Sequence, residues 1–275
     1  MRTCEPPHSR ELSVSDQPVL LKVDGPIARI VFNRPKVLNA LSVDAANAFL
    51  AACKSVAADK GNRVIILAGE GRAFMAGGDI SAFQGPADEV RKHVPTIMEP
   101  LHEGLEILAG LPQPVIASLH GAVAGAGMSI ALSTDLAIAA DTAIFTLAYS
   151  KLGTSPDGSS SWTLPRLVGL RKALEIALLS DVYDAAEALR LGLVNRVVPA
   201  ADLASETEKL ARRLAEGPTF AYGQAKALLR GSLDNSLHDQ MEAEAKAFGA
   251  CIGTKDFAEG VNAFLAKRQP TFTGK

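Results

Sequence analysis

Two glycine-rich stretches hold the residues whose types and spacing are best suited to chemistry. The first, Gly121-Ala-Val-Ala-Gly-Ala-Gly-Met-Ser-Ile-Ala-Leu, follows an apolar run at Val115–Leu119 and leads into an apolar helix. Free N–H groups and the partial positive charge of a helix start meet there, and such a place binds an anion or a developing oxyanion. On its own, the Gly125-x-Gly127 pair is explained by tight packing of a helix on a strand. The second stretch, Gly71-Arg-Ala-Phe-Met-Ala-Gly-Gly-Asp-Ile, also follows a strand and can offer further N–H groups. Phe74 and Met75 are too apolar for an exposed hairpin tip, which points to a packed loop.

Other chemistries lack their residues. A dinucleotide fingerprint needs a third glycine where Ile130 stands, and a phosphate loop needs Gly-Lys-Ser/Thr, which is absent. The Ser159-Ser160-Ser161 run lacks the flanking glycines of a nucleophilic serine elbow. His8, His93, His120 and His238 have no ligand spacing, so no metal is expected.

The elements that must position these turns can be read from periodicity. Val19–Val23 and Ile27–Phe32 are strand-like runs joined by Asp24-Gly25-Pro26, which predicts a hairpin. Ser42 is placed to cap a helix with an apolar face of Val43, Ala46, Leu50, Cys53 and Ala57. A strand follows at Val64–Ala68, then the second glycine turn and a helical stretch ending near Leu108. After it come the strand at Val115–Leu119, the first turn with its short helix, and strands at Leu136–Ala140 and Ala143–Leu147. Strands alternating with crossover helices imply a mostly parallel α/β sheet. From Ser159 the pattern is helical except for a strand at Val194–Val198, and Pro199 and Pro218 punctuate the later helices. A change of architecture is expected near residue 200.

Three ordered segments resemble signatures of the crotonase family, the enoyl-CoA hydratase/isomerase superfamily. They are Asn33-Arg-Pro-Lys-Val-Leu-Asn-Ala-Leu41, Ala73-Phe-Met-Ala-Gly-Gly-Asp-Ile80, and Gly121–Leu132 with Thr134-Asp135. The resemblance runs from about Val19 to the C-terminus. It implies a crotonase-like spiral of repeated β-β-α units over 17–200 after a loose tail at 1–16, with a helical C-terminal oligomerisation region over 201–275. Such chains usually assemble as homotrimers or dimers of trimers. By the same resemblance, the N–H groups of Gly78 and Ala126 form an oxyanion hole for an acyl-CoA thioester. Main chain near Lys36 and Val37 and at Ala76, Asp79 and Ile80 holds the coenzyme A part. Lys267, with Phe264 beside it, closes the site from a neighbouring subunit. Coenzyme A is part of the substrate, so no separate cofactor is implied.

The family's hydratases use two glutamates to activate water, and the matching positions here hold Ser129 and Tyr149. A serine cannot act as a carboxylate base, and a tyrosine with an ordinary pKa near 10 is a poor one. The segment from Ser150 to Gly169 instead resembles isomerase members, where an acidic residue follows proline at the place of Asp157. That implies an enoyl-CoA isomerase in which Asp157 moves a proton from C2 to C4, and epoxide-derived phenylacetyl-CoA isomerases look similar. The residue types alone also allow Asp157 to be a turn residue or helix cap in Pro-Asp-Gly. Aryl-CoA dehalogenases resemble the chain too, with Asp157 as a covalent nucleophile, an aromatic donor at Tyr149 and a histidine near His102. Hydration and a non-catalytic acyl-CoA-binding module are the remaining alternatives.

Composition sets the outer bounds. The 275 residues are 48% hydrophobic and 21% charged, enough for a large core. A formal net charge of −2 gives no field to gather nucleic acid or an anionic membrane. The apolar stretches are too short or too rich in glycine to span a bilayer. Cys4, Cys53 and Cys251 are far apart, which fits a reducing cytoplasm, and the first residues lack the apolar segment of a secretory signal.

Overall fold

A computed structural model describes residues 17–275; the tail expected at 1–16, with Cys4 and His8, lies outside them. The expected hairpin forms as β1 (Val19–Asp24) and β2 (Ile27–Phe32), paired antiparallel. Helix α1 (Val43–Ala58) starts where expected, with the Ser42 hydroxyl accepting from the Ala45 N–H. Its buried face is Ala45, Ala46, Phe49, Ala52, Cys53 and Val56, rotated from the expected one toward the bulkier Phe49 and Val56. Then follow β3 (Val64–Gly69), α2 (Ala87–Gly110), β4 (Val115–Leu119), β5 (Ala122–Ala124), α3 (Ala126–Ser133), β6 (Leu136–Ala140) and β7 (Ile144–Thr146). The helical part comprises α4 (Ser160–Val168), α5 (Leu170–Leu179), β8 (Tyr183–Asp184), α6 (Ala185–Leu191), β9 (Arg196–Val198) and α7 (Leu203–Ala215). Last come α8 (Thr219–Gly231), α9 (Leu237–Ile252) and α10 (Lys255–Leu265). The strand expected at Val194–Val198 is shorter, and the two-residue β8 carries no periodic signal.

The main sheet has the order β1-β2-β3-β4-β6-β9 and is parallel beyond its first hairpin. Parallel strands covered on both faces read as continuous apolar runs. In β3, Ile65 and Leu67 join the large core against α1, α2 and α3, while Val64 and Ile66 face a second core. That second core is closed by Leu203, Leu210, Ala211 and Ala215 of α7. Helix α7 therefore belongs to the packing of the sheet, although it follows the boundary expected near residue 200.

A smaller sheet, β5-β7-β8, stands beside the first. Two isolated parallel bridges extend it: Met75 with Val123, and Leu41 with Gly78. Each winding of the spiral thus supplies one strand to the main sheet and one short extended segment to this second ladder. The three-residue β5 is invisible to periodicity because it lies inside the glycine-rich turn.

Helix α8 is fastened to the spiral by charge. The Asp135 carboxylate meets Lys226 Nζ and Arg230, each at 2.8 Å, and also accepts the Val115 N–H at 2.8 Å. Lys226 donates further to the Leu108 and Gln113 carbonyls, and Arg230 to that of Ser133. Burial lowers the Lys226 pKa, opposed by the charge of Asp135. Removing one partner of a buried pair strands the other charge, at a cost of about 3–5 kcal/mol. Asp135→Ala is expected to lose roughly that much stability in urea unfolding; a change within about 0.5 kcal/mol would show that the fastening is unimportant.

Candidate active site

The two glycine turns lie against each other. Phe74 donates to the His120 carbonyl (2.8 Å), Met75 to Ala122 (3.0 Å), and Ala124 back to Met75 (2.9 Å). The fit leaves no room for side chains. A Cβ at Gly127 would come within 2.4 Å of the Met75 carbonyl oxygen, and one at Gly121, where φ is +54°, within 2.0 Å of that of Arg72. Gly77 and Gly125, both with positive φ, touch backbone to backbone: a Cβ on Gly125 would sit 3.3 Å from Gly77 Cα. Each of this pair immediately precedes one of the expected donors, Gly78 and Ala126, which brings those two peptides side by side.

Neither donor is spent among the described residues. Among the described residues, the Gly78 and Ala126 N–H groups have no backbone or side-chain acceptor. Ala126 opens α3 and is only 6% exposed. A covered N–H without a partner is costly, by about 1–3 kcal/mol. Paired beside a helix start, two such groups can stabilise an anionic oxygen. Phe83 lies against this place, its ring 3.4 Å from where a Gly78 Cβ would be. Sequence reasoning missed Phe83, which follows the motif on a short 3-10 helix, Ile80–Phe83, too brief for a periodic signal.

The first motif is laced to the second. Ala76 donates to Leu38 (3.0 Å), Leu41 to Gly77 (2.9 Å), and Asp79 to Leu41 (2.9 Å). The buried Asn39 amide donates to the carbonyls of Glu70, Ala73 and Phe74, while its oxygen accepts the Arg34 N–H. Arg34 reaches the Ala40 carbonyl and, at 3.2 Å, the Asp79 carboxylate. The Asp79 carboxylate also accepts from the Ser81 hydroxyl at 2.6 Å. The side chain of Asp79, a residue expected beside coenzyme A, is therefore engaged as an internal clamp. Lys36 and Val37 lie on an exposed 3-10 turn, Ile80 is 48% exposed, and the Ala76 N–H is committed internally.

The remaining expected residues divide. Tyr149 and Asp157 come together: the Tyr149 hydroxyl donates to Asp157 Oδ1 and lies 3.1 Å from the Ser129 hydroxyl. Ser129 is one turn along α3 from Ala126, so these hydrogen bonds connect Asp157 to the helix of the second donor. Asp157 does not cap α4 with its side chain; its backbone carbonyl accepts from the Ser160 N–H and hydroxyl, which frees the carboxylate. Gly158, with φ +56°, lies against Ser129 and Leu101. Burial, and next the negative charge of Asp157, push the Tyr149 phenol well above its ordinary pKa. It stays a neutral donor at physiological pH.

His102 is not brought to the donors. It is exposed on α2 and lines a surface pocket of about 340 Å³ with Glu106, Ser133, Ser159, Trp162 and Arg230. The alternation of α2 turns its apolar neighbours Leu101 and Leu105 inward instead. Phe264 is 83% exposed and, with Phe220, Phe257 and Phe272, lines an apolar pocket of about 420 Å³ on the C-terminal helices. Lys267 is exposed just after α10. Within one chain, neither pocket includes Gly78, Ala126 or Asp157.

The family model described as enoyl-CoA hydratase/isomerase matches residues 22–275. The chain belongs to that family. It is an acyl-CoA-processing enzyme with the crotonase fold, as the three motifs imply. A 1,2-epoxyphenylacetyl-CoA isomerase of Escherichia coli K12 is 39% identical over 262 residues, 94% of this chain and 98% of that one. A 4-chlorobenzoyl coenzyme A dehalogenase of Arthrobacter sp. is 34% identical over 256 residues, 93% of each chain. The solved structure of an enoyl-CoA hydratase from Polaromonas sp. JS666 superposes with a TM-score of 0.88 at 32% identity, covering 93% of this chain and 99% of that one. Family members with this fold thus carry different activities. Among the described residues, no helix is long and apolar enough to cross a membrane.

The Asp79 clamp has a pH signature. The Ser81 hydroxyl first, and Arg34 with it, hold the Asp79 carboxyl below its usual range. A depressed carboxyl contributes stability above its unfolded value of about 4, and loses it as pH falls through the folded value. Asp79→Asn is therefore expected to lower Tm by about 1–2 °C at pH 7, the gap closing below about pH 4. A gap that persists at low pH would refute the clamp.

Proposed function

We propose that the enzyme is an acyl-CoA isomerase that shifts a double bond through an enolate. The observation that carries this reading is the hydrogen bond from Tyr149 to Asp157: the two positions where family hydratases hold glutamates are occupied by hydroxyls, and the carboxylate beside them is Asp157. Asp157 removes a C2 proton from a 3-enoyl-CoA. The electron pair moves onto the thioester oxygen, where the Gly78 and Ala126 N–H groups receive it, each worth about 3 kcal/mol to the transition state. The protonated Asp157 then returns its proton at C4, giving the 2-enoyl-CoA and the starting carboxylate.

Coenzyme A enters as part of the substrate, along the exposed turn at Lys36 and Val37 and the segment from Ala76 to Ile80. The apolar, exposed faces of α9 and α10 support assembly as a trimer or dimer of trimers, in which Phe264 and Lys267 of one chain close a neighbour's site.

The test is conversion of 3-hexenoyl-CoA to 2-hexenoyl-CoA, followed beside hydration of crotonyl-CoA. Isomerisation is expected to dominate, and Asp157→Asn to reduce its kcat by roughly 10²- to 10⁴-fold. Full activity in that variant, or hydration faster than isomerisation, would overturn the proposal.

A further inference from the structure

The phenol of Tyr149 makes more contacts than its position in the chain requires. Its hydroxyl donates to Asp157 Oδ1 and lies within hydrogen-bond reach of Ser129, which in turn is 3.3 Å from the Gly125 carbonyl. Ser129 is fully buried, and Gly158 packs on it, which closes the network on the side of α3. Among the described residues, Asp157 Oδ2 accepts no hydrogen bond. The carboxylate is therefore asymmetric, with one oxygen held by the protein and one available.

We infer that Tyr149 is a positioning residue that occupies Oδ1 of Asp157, leaving Oδ2 as the single oxygen that carries the proton, with Ser129 steadying the phenol from behind. This rests on the isomerase reading and deepens it. A carboxylate with both oxygens open is readily solvated, and its acid form can exchange its proton with water between abstraction and return. With Oδ1 tied to a phenol, the proton taken from C2 stays on Oδ2 and goes to C4. The step is balanced: the C2–H bond breaks, an O–H bond forms on Oδ2 as the enolate appears, and the same O–H bond breaks as C4–H forms. The one phenolic proton of Tyr149 is committed to Oδ1, so it is not spent on water or substrate. The hydroxyls at 129 and 149 thus do more than replace the hydratase glutamates: they hold a different base.

The experiment follows 3-hexenoyl-CoA in heavy water, reading kcat, KM and deuterium gained per turnover by mass spectrometry. The wild-type enzyme is expected to transfer most protons internally, with little deuterium in the product at early times. Tyr149→Phe is expected to lower kcat about tenfold, leave KM within about threefold, and raise deuterium per turnover severalfold. Ser129→Ala, which spares the phenol, is expected to shift both readouts in the same direction by less. In an Asp157→Asn background, Tyr149→Phe is expected to change kcat no further, since its effect acts through that carboxylate. Should Tyr149→Phe fold poorly by circular dichroism, Ser129→Ala decides in its place. Unchanged kcat or unchanged deuterium uptake in the deciding variant overturns the inference while leaving the isomerase reading intact. Failure of wild-type turnover, or full activity of Asp157→Asn, overturns that reading itself.

Discussion

The structure depends on the close approach of two backbones. Where the second winding of the spiral passes the third, Met75 and Val123 pair as neighbouring strands, and Gly127 presses against the Met75 carbonyl. No side chain fits between them. This contact aligns the peptides of Gly78 and Ala126, and it can form only because the main sheet sets successive windings at the strand spacing of about 4.8 Å.

Around that contact, side chains act mainly as fasteners. Asn39 gathers three carbonyls from the second loop, and Arg34 bridges toward Asp79. Asp135 draws α8 onto the ends of α2 and α3. The motif residues that look chemical in the sequence therefore separate into two kinds. Asn39, Asp79 and Asp135 hold loops and helices in place, whereas Tyr149 and Asp157 hold each other.

The sequence made the sheet legible, because buried parallel strands are unbroken apolar runs and Asp-Gly-Pro is unambiguous turn chemistry. It also pointed to the meeting of the two glycine turns, because two such turns, each following a strand, are more than helix packing alone requires, while the choice of Gly78 and Ala126 within them came from the resemblance. What escaped it has no period. β5 is three residues inside a glycine turn, Phe83 sits on a single 3-10 turn, and the contact of Tyr149 with Asp157 crosses a loop. The rotated face of α1 has another cause: small residues such as Ala57 satisfy a spacing rule without deciding which side is buried. His102 illustrates the limit of position along a helix, since one residue's shift separates the inward Leu101 from the solvent.

The two unspent N–H groups belong to the main chain, and that shapes how this scaffold can change over evolutionary time. No side-chain replacement at 129, 149 or 157 removes a peptide N–H, so those side chains can drift while the two main-chain groups are inherited intact. The glycines at 121 and 127 are the exception. There, a single added methyl group would meet the carbonyl oxygen of Arg72 or Met75 and push the two turns apart.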